Sequence, residues 1–259
     1  MRRRLLVFLA ACLLLVPPPP AAGGETPTWW ERKRAAVRFV ETRSGIETFA
    51  FVDEQGRLWG YHPWRVVRSA SLLKPMLMVA YLNLSSVRVR PLRERDRDLL
   101  APMIRWSDNR AAERVLELLG PRPLYRLAER ARMKHFRLRS RWGWTEITAG
   151  DQARFFLRFD RYVPARHRPY ARWLLSHIVA SQRWGIPPEV PAGWTVYFKG
   201  GWSTGTGEVT HQVAMLRRKT TRIALAVLTK RNPSHVYGTR TIRGVARRIL
   251  RAPLPFEAG

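Results

Sequence analysis

The chain has 259 residues and a formal net charge of +28. This length suits one large domain or one domain of two lobes. Hydrophobic residues make up 46% of the chain and 11 residues are Trp, so a sizeable core is expected and disorder is excluded as the default. So high a charge would suit nucleic acid, an acidic membrane surface or an anionic cell-envelope polymer. Because the arginines are scattered along the chain, we attribute the charge to a general compositional bias and expect no specific nucleic-acid partner. Binding of an anionic cell-envelope polymer remains an alternative.

The N-terminal segment has the features of an export signal. Residues 2–4 are arginines, and residues 5–16 form an apolar run that is too short for a comfortable membrane span. Prolines at 17–20 then break any helix, and small residues at 21–23 offer a cleavage site. We therefore predict a signal peptide over 1–22, a linker over 23–27, and a secreted or cell-envelope location. An uncleaved signal anchor is the alternative.

The single cysteine, Cys12, lies inside this apolar run. The residues before it are similar to a bacterial lipoprotein box, but residues 13–16 remain apolar, so we favour an ordinary signal over lipid attachment. After cleavage the chain has no cysteine, which excludes disulfides and thiol catalysis. The six histidines show no metal-binding spacing such as HExxH. We therefore predict neither a metal site nor a cofactor.

Downstream of the signal, apolar periodicity and turn residues predict helices and strands. In chain order the predicted elements are a helix over 29–42, strands over 47–53 and 58–67, helices over 72–84, 93–106, 109–119 and 124–133, a helix opening at Thr148, a helix over 167–181, strands over 194–199, 209–217 and 222–230, and a helix over 239–250. Thr148 and Asp151 have the spacing of a capping box, which marks a helix start.

This order predicts an α+β fold. One five-stranded antiparallel sheet would be built from both ends of the chain and flanked by the N- and C-terminal helices, which leaves the helical middle as a second lobe. We therefore predict one domain over 28–259, with an α/β lobe over 28–68 and 190–259 and an all-helical lobe over 69–189. A crevice between the lobes is the natural place for a site.

Ser71 and Lys74 form an S-x-x-K motif at the start of the predicted helix over 72–84. The i, i+3 spacing puts the hydroxyl and the amine on one face of the first turn. A helix N-terminus also offers N–H groups and the positive end of the helix dipole, which suit a developing oxyanion. Taken alone, the motif is equally typical of a solvated lysine near a helix start.

Two further motifs follow. Ser107, Asp108 and Asn109 lie between two predicted helices, where they would ordinarily form a turn with an N-cap. Lys199 and the two glycines after it follow a predicted strand, where a glycine turn is the ordinary interpretation.

Together and in this order, the three motifs resemble the S-x-x-K, S-D-N and K-T-G motifs of class A β-lactamases and penicillin-binding proteins. Each lies in the context that the family requires, at a helix start, in an inter-helix loop and at a strand end. The resemblance also extends through residues 148–156 and 185–199 and covers roughly 28–250. It implies the β-lactamase/transpeptidase-like fold and a serine hydrolase acting on cyclic or peptide amide bonds.

The resemblance implies catalytic roles for Ser71, Lys74 and Ser107. Ser71 would attack the carbonyl and form an acyl-enzyme. Lys74 would accept the proton, and a second buried cation nearby, Lys199, would lower the pKa of its amine. Ser107 would bridge the two lysines and relay the proton to the leaving nitrogen.

The resemblance also implies substrate contacts. Asn109 would bind the side-chain amide of the substrate, and Lys199 would attract its carboxylate. The backbone N–H groups of Ser71 and Trp202, the latter next to Gly201, would form the oxyanion hole. The expected substrates are a small-molecule β-lactam or a peptidoglycan peptide, and we expect a monomer.

The chain departs from the family in the loop over 137–148. The E-x-x-L-N sequence, whose Glu activates the deacylating water, is absent, and Glu146 is the only acid there. Since Glu146 lacks the Asn four residues later, an exposed loop acid is the ordinary interpretation and catalysis the alternative. Gly200 also replaces the usual Thr or Ser of the third motif. We therefore predict slow or absent turnover of β-lactams.

The sequence leaves three alternatives open. The first is a dd-peptidase or transpeptidase-like activity on peptidoglycan, since the same residues serve both reactions. The second is a non-catalytic cell-envelope binding protein, although Ser71, Lys74, Ser107 and Lys199 are all retained. The third, nucleic-acid binding, rests on charge alone and conflicts with the predicted signal peptide.

Overall fold

A computed structural model describes residues 25–203 and 208–257 of the chain. The predicted signal segment, with Cys12, lies outside the described residues. The strands are β1 (Ile46–Val52), β2 (Leu58–Tyr61), β3 (Val67–Arg68), β4 (Glu146–Ile147), β5 (Thr195–Trp202), β6 (Val209–Arg218) and β7 (Thr221–Lys230). The helices are α1 (Trp29–Glu41), α2 (Lys74–Leu82), α3 (Ser85–Arg88), α4 (Glu94–Ala101), α5 (Asn109–Leu119), α6 (Arg122–Arg130), α7 (Ala149–Leu157), α8 (Phe159–Tyr162), α9 (Arg168–Ser176) and α10 (His235–Leu250).

Five strands form one antiparallel sheet in the order β2-β1-β7-β6-β5. Strands from the two ends of the chain meet where β1 pairs with β7. The predicted α+β fold with a five-stranded antiparallel sheet is confirmed. The short strands β3 and β4 form a separate two-stranded sheet in which Arg68 pairs with Glu146.

The core has two layers, one on each face of the sheet. Along β7, Ile223, Leu225 and Val227 pack with α1 and α10, whereas Ala224 and Ala226 face the helical middle of the chain. This alternation follows from the two-residue period of a strand that is buried on both faces. Every residue of α2 is buried, so this helix forms the centre of the helical layer.

Several element boundaries differ from the predictions; the helix predicted over 167–181, for example, runs from Arg168 to Ser176. The second strand ends at Tyr61, because His62 has a φ of 45° and Pro63 follows. The helix predicted over 93–106 changes at Pro102 into a π-helical turn, since proline has no N–H to donate to the preceding turn. The last helix begins earlier than predicted, at His235.

The capping predicted at Thr148 is present. Its hydroxyl accepts a hydrogen bond from the Asp151 N–H at 3.1 Å, and α7 begins at the next residue. Among the helices that the structure describes, none is both long and apolar enough to cross a membrane.

Candidate active site

Ser71 lies on a 3-10 turn, Ala70–Leu73, that leads directly into α2. A hydrogen bond to a distant segment stabilises the start of this turn: the N–H of Ser69 donates to the carbonyl of Thr145 at 2.7 Å. Ala70 has a φ of 44°, a left-handed conformation that is strained for a residue with a Cβ. The N–H of Lys74 donates to the carbonyl of Ser71, which places the two residues one turn apart.

The amine of Lys74 is buried and is surrounded by three oxygens. It donates to the Ser107 hydroxyl at 3.1 Å, to the Asn109 side-chain oxygen at 2.9 Å and to the carbonyl of Ser107. The centre of the Trp142 ring lies 5.1 Å from the nitrogen.

Ser107 is the bridge between two lysines. Its hydroxyl also receives a hydrogen bond from Lys199 at 3.0 Å, and the Lys199 amine donates to the carbonyl of Gly200 at 2.7 Å. Ser107 has φ 61° and ψ 34° and ends the π-helical turn, so the chain reverses there and presents both its hydroxyl and its carbonyl to Lys74. The Asp108 carboxylate then caps α5 by accepting from the Ala111 N–H at 2.7 Å.

Burial lowers the pKa of both amines. Desolvation is the largest cause for Lys74 and lowers its pKa to about 7, although the charges of Asp108 and Glu113 oppose the shift. The pKa of the fully buried Lys199 is also lowered well below its ordinary value, first by desolvation and then by repulsion from Lys74. From the sequence, the lowered pKa of Lys74 is attributed to the charge of Lys199. In the structure the main cause of that lowered pKa is burial, and the charge repulsion lowers the pKa of Lys199 instead.

The hydrogen-bond partners of Lys74 suit a neutral amine. A neutral amine has two N–H donors and one lone pair. Its donors can serve the Asn109 oxygen and the Ser107 carbonyl, which only accept, and the Ser107 hydroxyl can accept from the protonated amine or donate to the lone pair of the neutral one. The site can therefore hold Lys74 in the form that accepts a proton.

The end of β5 lies directly against the Ser71 turn. A Cβ added at Gly201 would lie 2.9 Å from the backbone nitrogen of Ser71 and 3.1 Å from that of Leu72, so only glycine allows this approach. A Cβ at Gly200 would lie 3.1 Å from the Trp184 ring. Trp184 therefore fills space that the usual Thr or Ser of the third motif would need.

Ser71 opens into a cleft of about 400 Å³. Two of the predicted substrate-binding residues, Asn109 and Trp202, line it. The cleft also has lining residues that the sequence analysis did not single out, namely Arg68, Glu113, Arg141, Trp142, Trp144 and Glu208. No motif marks these residues; the run Trp142-Gly143-Trp144 in a loop was the one signal that could have drawn attention.

Glu146 is not brought into this cleft. Its carboxylate accepts a hydrogen bond from the Arg139 side chain at 3.0 Å and forms an ion pair with it. Because Glu146 pairs with Arg68 across β3 and β4, its side chain lines a neighbouring groove. The side chain that lies beside the Lys74 amine is the indole of Trp142, which has no acid–base function.

A serine at a helix start, one turn before a buried lysine that shares the hydroxyl of a second serine with another buried lysine, defines a serine acyl-transfer site. The sequence model of the beta-lactamase enzyme family matches residues 91–252, more than half of the chain. The chain therefore belongs to this family and is a β-lactamase-like serine hydrolase. A comparison with the curated proteins finds no match.

Solved structures of β-lactamases have the same fold. That from Sphaerobacter thermophilus superposes with a TM-score of 0.74 at 22% identity, over 86% of this chain and 97% of that one. That from Desulfarculus baarsii has a TM-score of 0.69 at 21% identity, over 85% and 98% of the two chains. A class A β-lactamase from Mycobacterium abscessus has a TM-score of 0.71 at 20% identity, over 85% and 98%. These low identities support the fold alone.

Proposed function

We propose that the protein forms an acyl-enzyme at Ser71 with β-lactams or related amides, and that it releases the acyl group slowly. The observation that carries this proposal is the continuous hydrogen-bonded chain from Lys74 through the Ser107 hydroxyl to Lys199. It links a base of lowered pKa to a second hydroxyl that can pass a proton onward.

The chemistry follows from this chain. The Ser71 oxygen bonds to the carbonyl carbon as its proton moves to neutral Lys74. The C–N bond of the amide then breaks, and the leaving nitrogen takes a proton through Ser107. The N–H groups of Ser71 and Trp202 stabilise the oxyanion between these steps, and removing one such donor commonly slows an enzyme by about 10²–10³-fold.

Slow deacylation is proposed because, among the residues that the structure describes, no buried carboxylate lines the Ser71 cleft. Glu146 is bonded to Arg139 in the neighbouring groove. The acids that do line the cleft, Glu113 and Glu208, are exposed to solvent.

Two assays test the proposal. Incubation with a fluorescent penicillin should give a covalent adduct, visible on a denaturing gel and by mass spectrometry, that is lost in Ser71→Ala. The matched control is Ser203→Ala, which removes another hydroxyl of the same cleft and should keep the adduct. Absence of a Ser71-dependent adduct contradicts acylation. Rapid hydrolysis of a chromogenic cephalosporin contradicts slow deacylation.

Acyl transfer from a peptidoglycan peptide is the second candidate. The position of Glu146 favours it, because a long-lived acyl-enzyme gives an amine acceptor time to reach Ser71. Release of D-alanine from a peptide ending in D-alanyl-D-alanine, compared between the unchanged protein and Ser71→Ala, tests this activity.

We also propose that the protein works outside the cytoplasmic membrane. The basic start, short apolar run, prolines and small residues of the first 23 positions support export. Fractionation of expressing cells, with mass determination of the mature N-terminus, distinguishes a cleaved signal from an uncleaved anchor and from lipid attachment at Cys12.

A further inference from the structure

The Ser71 cleft continues into a second groove, which we name the arginine groove. It has a volume of about 370 Å³ and is lined by Arg68, Arg139, Arg141, Trp144, Glu146 and Lys230, among others. Arg68, Arg141 and Trp144 line the cleft and the groove alike, so they form the wall that joins the two spaces.

The arginine groove is strongly basic. Its lining includes three arginines and one lysine, and Glu146 is its one acid. That acid is already paired with Arg139. In the part of the chain that the structure describes, neither Arg68 nor Arg141 forms an ion pair with a carboxylate. The two guanidinium groups that border the Ser71 cleft are therefore available for an anion.

Both guanidinium groups are held in place by Trp144. The guanidinium carbon of Arg68 lies 4.0 Å from the centre of the Trp144 ring, and that of Arg141 lies 5.1 Å from it. The backbone of Arg68 is anchored as well, because its carbonyl forms a hydrogen bond with His211 Nε2 at 2.9 Å. Stacked side chains lose less freedom on binding, and a guanidinium fork matches a carboxylate.

We propose, on the basis of the acyl-transfer function proposed above, that the preferred substrate is an acyl donor with a carboxylate on its acyl side chain, bound by Arg68 and Arg141. This carboxylate is additional to the one on the leaving side that Lys199 is expected to attract. The substrate class is thus a dianionic β-lactam or an acidic peptide, and the arginine groove is its specificity site.

The test compares two penicillins that differ by one carboxylate, benzylpenicillin and its α-carboxy derivative. The second-order acylation rate at Ser71 is measured for both at low and at high ionic strength. We expect the α-carboxy compound to be favoured about tenfold at low salt, since a hydrogen bond to a charged group contributes that much. The preference should weaken as salt screens the charges.

Arg141→Gln should lower the ratio of the two rates several-fold, because it removes one of the two guanidinium groups. The control is Arg126→Gln, which changes the net charge equally but lies in a separate cleft. If it lowers the ratio as much as Arg141→Gln does, the preference belongs to the overall charge and the proposal is overturned.

The possible failures are distinct. Equal acylation by both penicillins overturns the proposed role of the arginine groove and leaves acylation at Ser71 intact. A preference that persists in Arg141→Gln and in Arg68→Gln also overturns the groove. Acylation by neither compound refutes the proposed function itself, and with it the groove.

Discussion

Replacing Glu113 by Gln should move the pH dependence of acylation to lower pH. The Glu113 carboxylate raises the pKa of Lys74, so its removal lowers that pKa. With a pKa of about 7, roughly half of Lys74 is neutral at pH 7. A lysine with the ordinary value of 10.5 would be neutral in only about one molecule in three thousand at this pH.

The acylation rate should therefore rise about tenfold per pH unit below pH 7 and level off above pH 8, because neutral Lys74 is the base. Glu113→Gln should reach its plateau at lower pH. The assay is stopped-flow acylation by a fluorescent penicillin between pH 5 and 10. Glu117→Gln is the control, since Glu117 lies one turn further along α5 and pairs with Arg114.

Two outcomes would refute this reasoning. A rate that keeps rising to pH 10 would mean that Lys74 has an ordinary pKa and that burial does not control it. A shift to higher pH in Glu113→Gln would mean that the carboxylate does not act on Lys74 through its charge.

Three further predictions concern packing and acid stability. Gly201→Ala should reduce acylation by about 10²-fold, since its Cβ would collide with the Ser71 nitrogen and displace an oxyanion donor; Gly143→Ala, whose Cβ would meet its nearest neighbour at 3.9 Å, should retain most activity. Burial opposes ionisation of Asp96, but its hydrogen bonds lower its pKa to about 2. About 2 kcal/mol of the free energy of unfolding should therefore be lost as the pH falls from about 4 to 2. Urea unfolding of Asp96→Asn should lack this pH-dependent component. Burial lowers the pKa of His211 to about 4, so the unfolded state binds more protons than the folded state between pH 4 and 6.5. The free energy of unfolding should therefore rise with pH, by up to about 3 kcal/mol over this window, which unfolding at pH 5 and 7 would detect. A flat profile would contradict the burial of a neutral imidazole.

Much of the fold could be predicted from local patterns. The five strands of the sheet and the central helix follow from apolar periodicity, and the start of α7 follows from the hydroxyl of Thr148. The boundaries that were missed depend on details of single positions, such as the left-handed backbone at His62 and the missing N–H of Pro102.

The site was less predictable because its surroundings are not marked by any motif. Nothing in the sequence shows that Arg139 binds the carboxylate of Glu146, or that Trp142 lies beside the amine of Lys74. Both contacts depend on how the loop over 137–148 folds back onto the Ser71 turn. The same loop brings Trp144 against Arg68.

The sequence by itself determined which reactive groups the protein has and on which local elements they lie, because helix starts, turns and strands follow from short-range patterns. Only the tertiary structure decided that they converge. Lys74 and Lys199 reach one hydroxyl, that of Ser107, from 33 and 92 positions away. Burial then decided their chemistry, since the pKa of an amine depends on the water it has lost, and no short stretch of sequence contains that information.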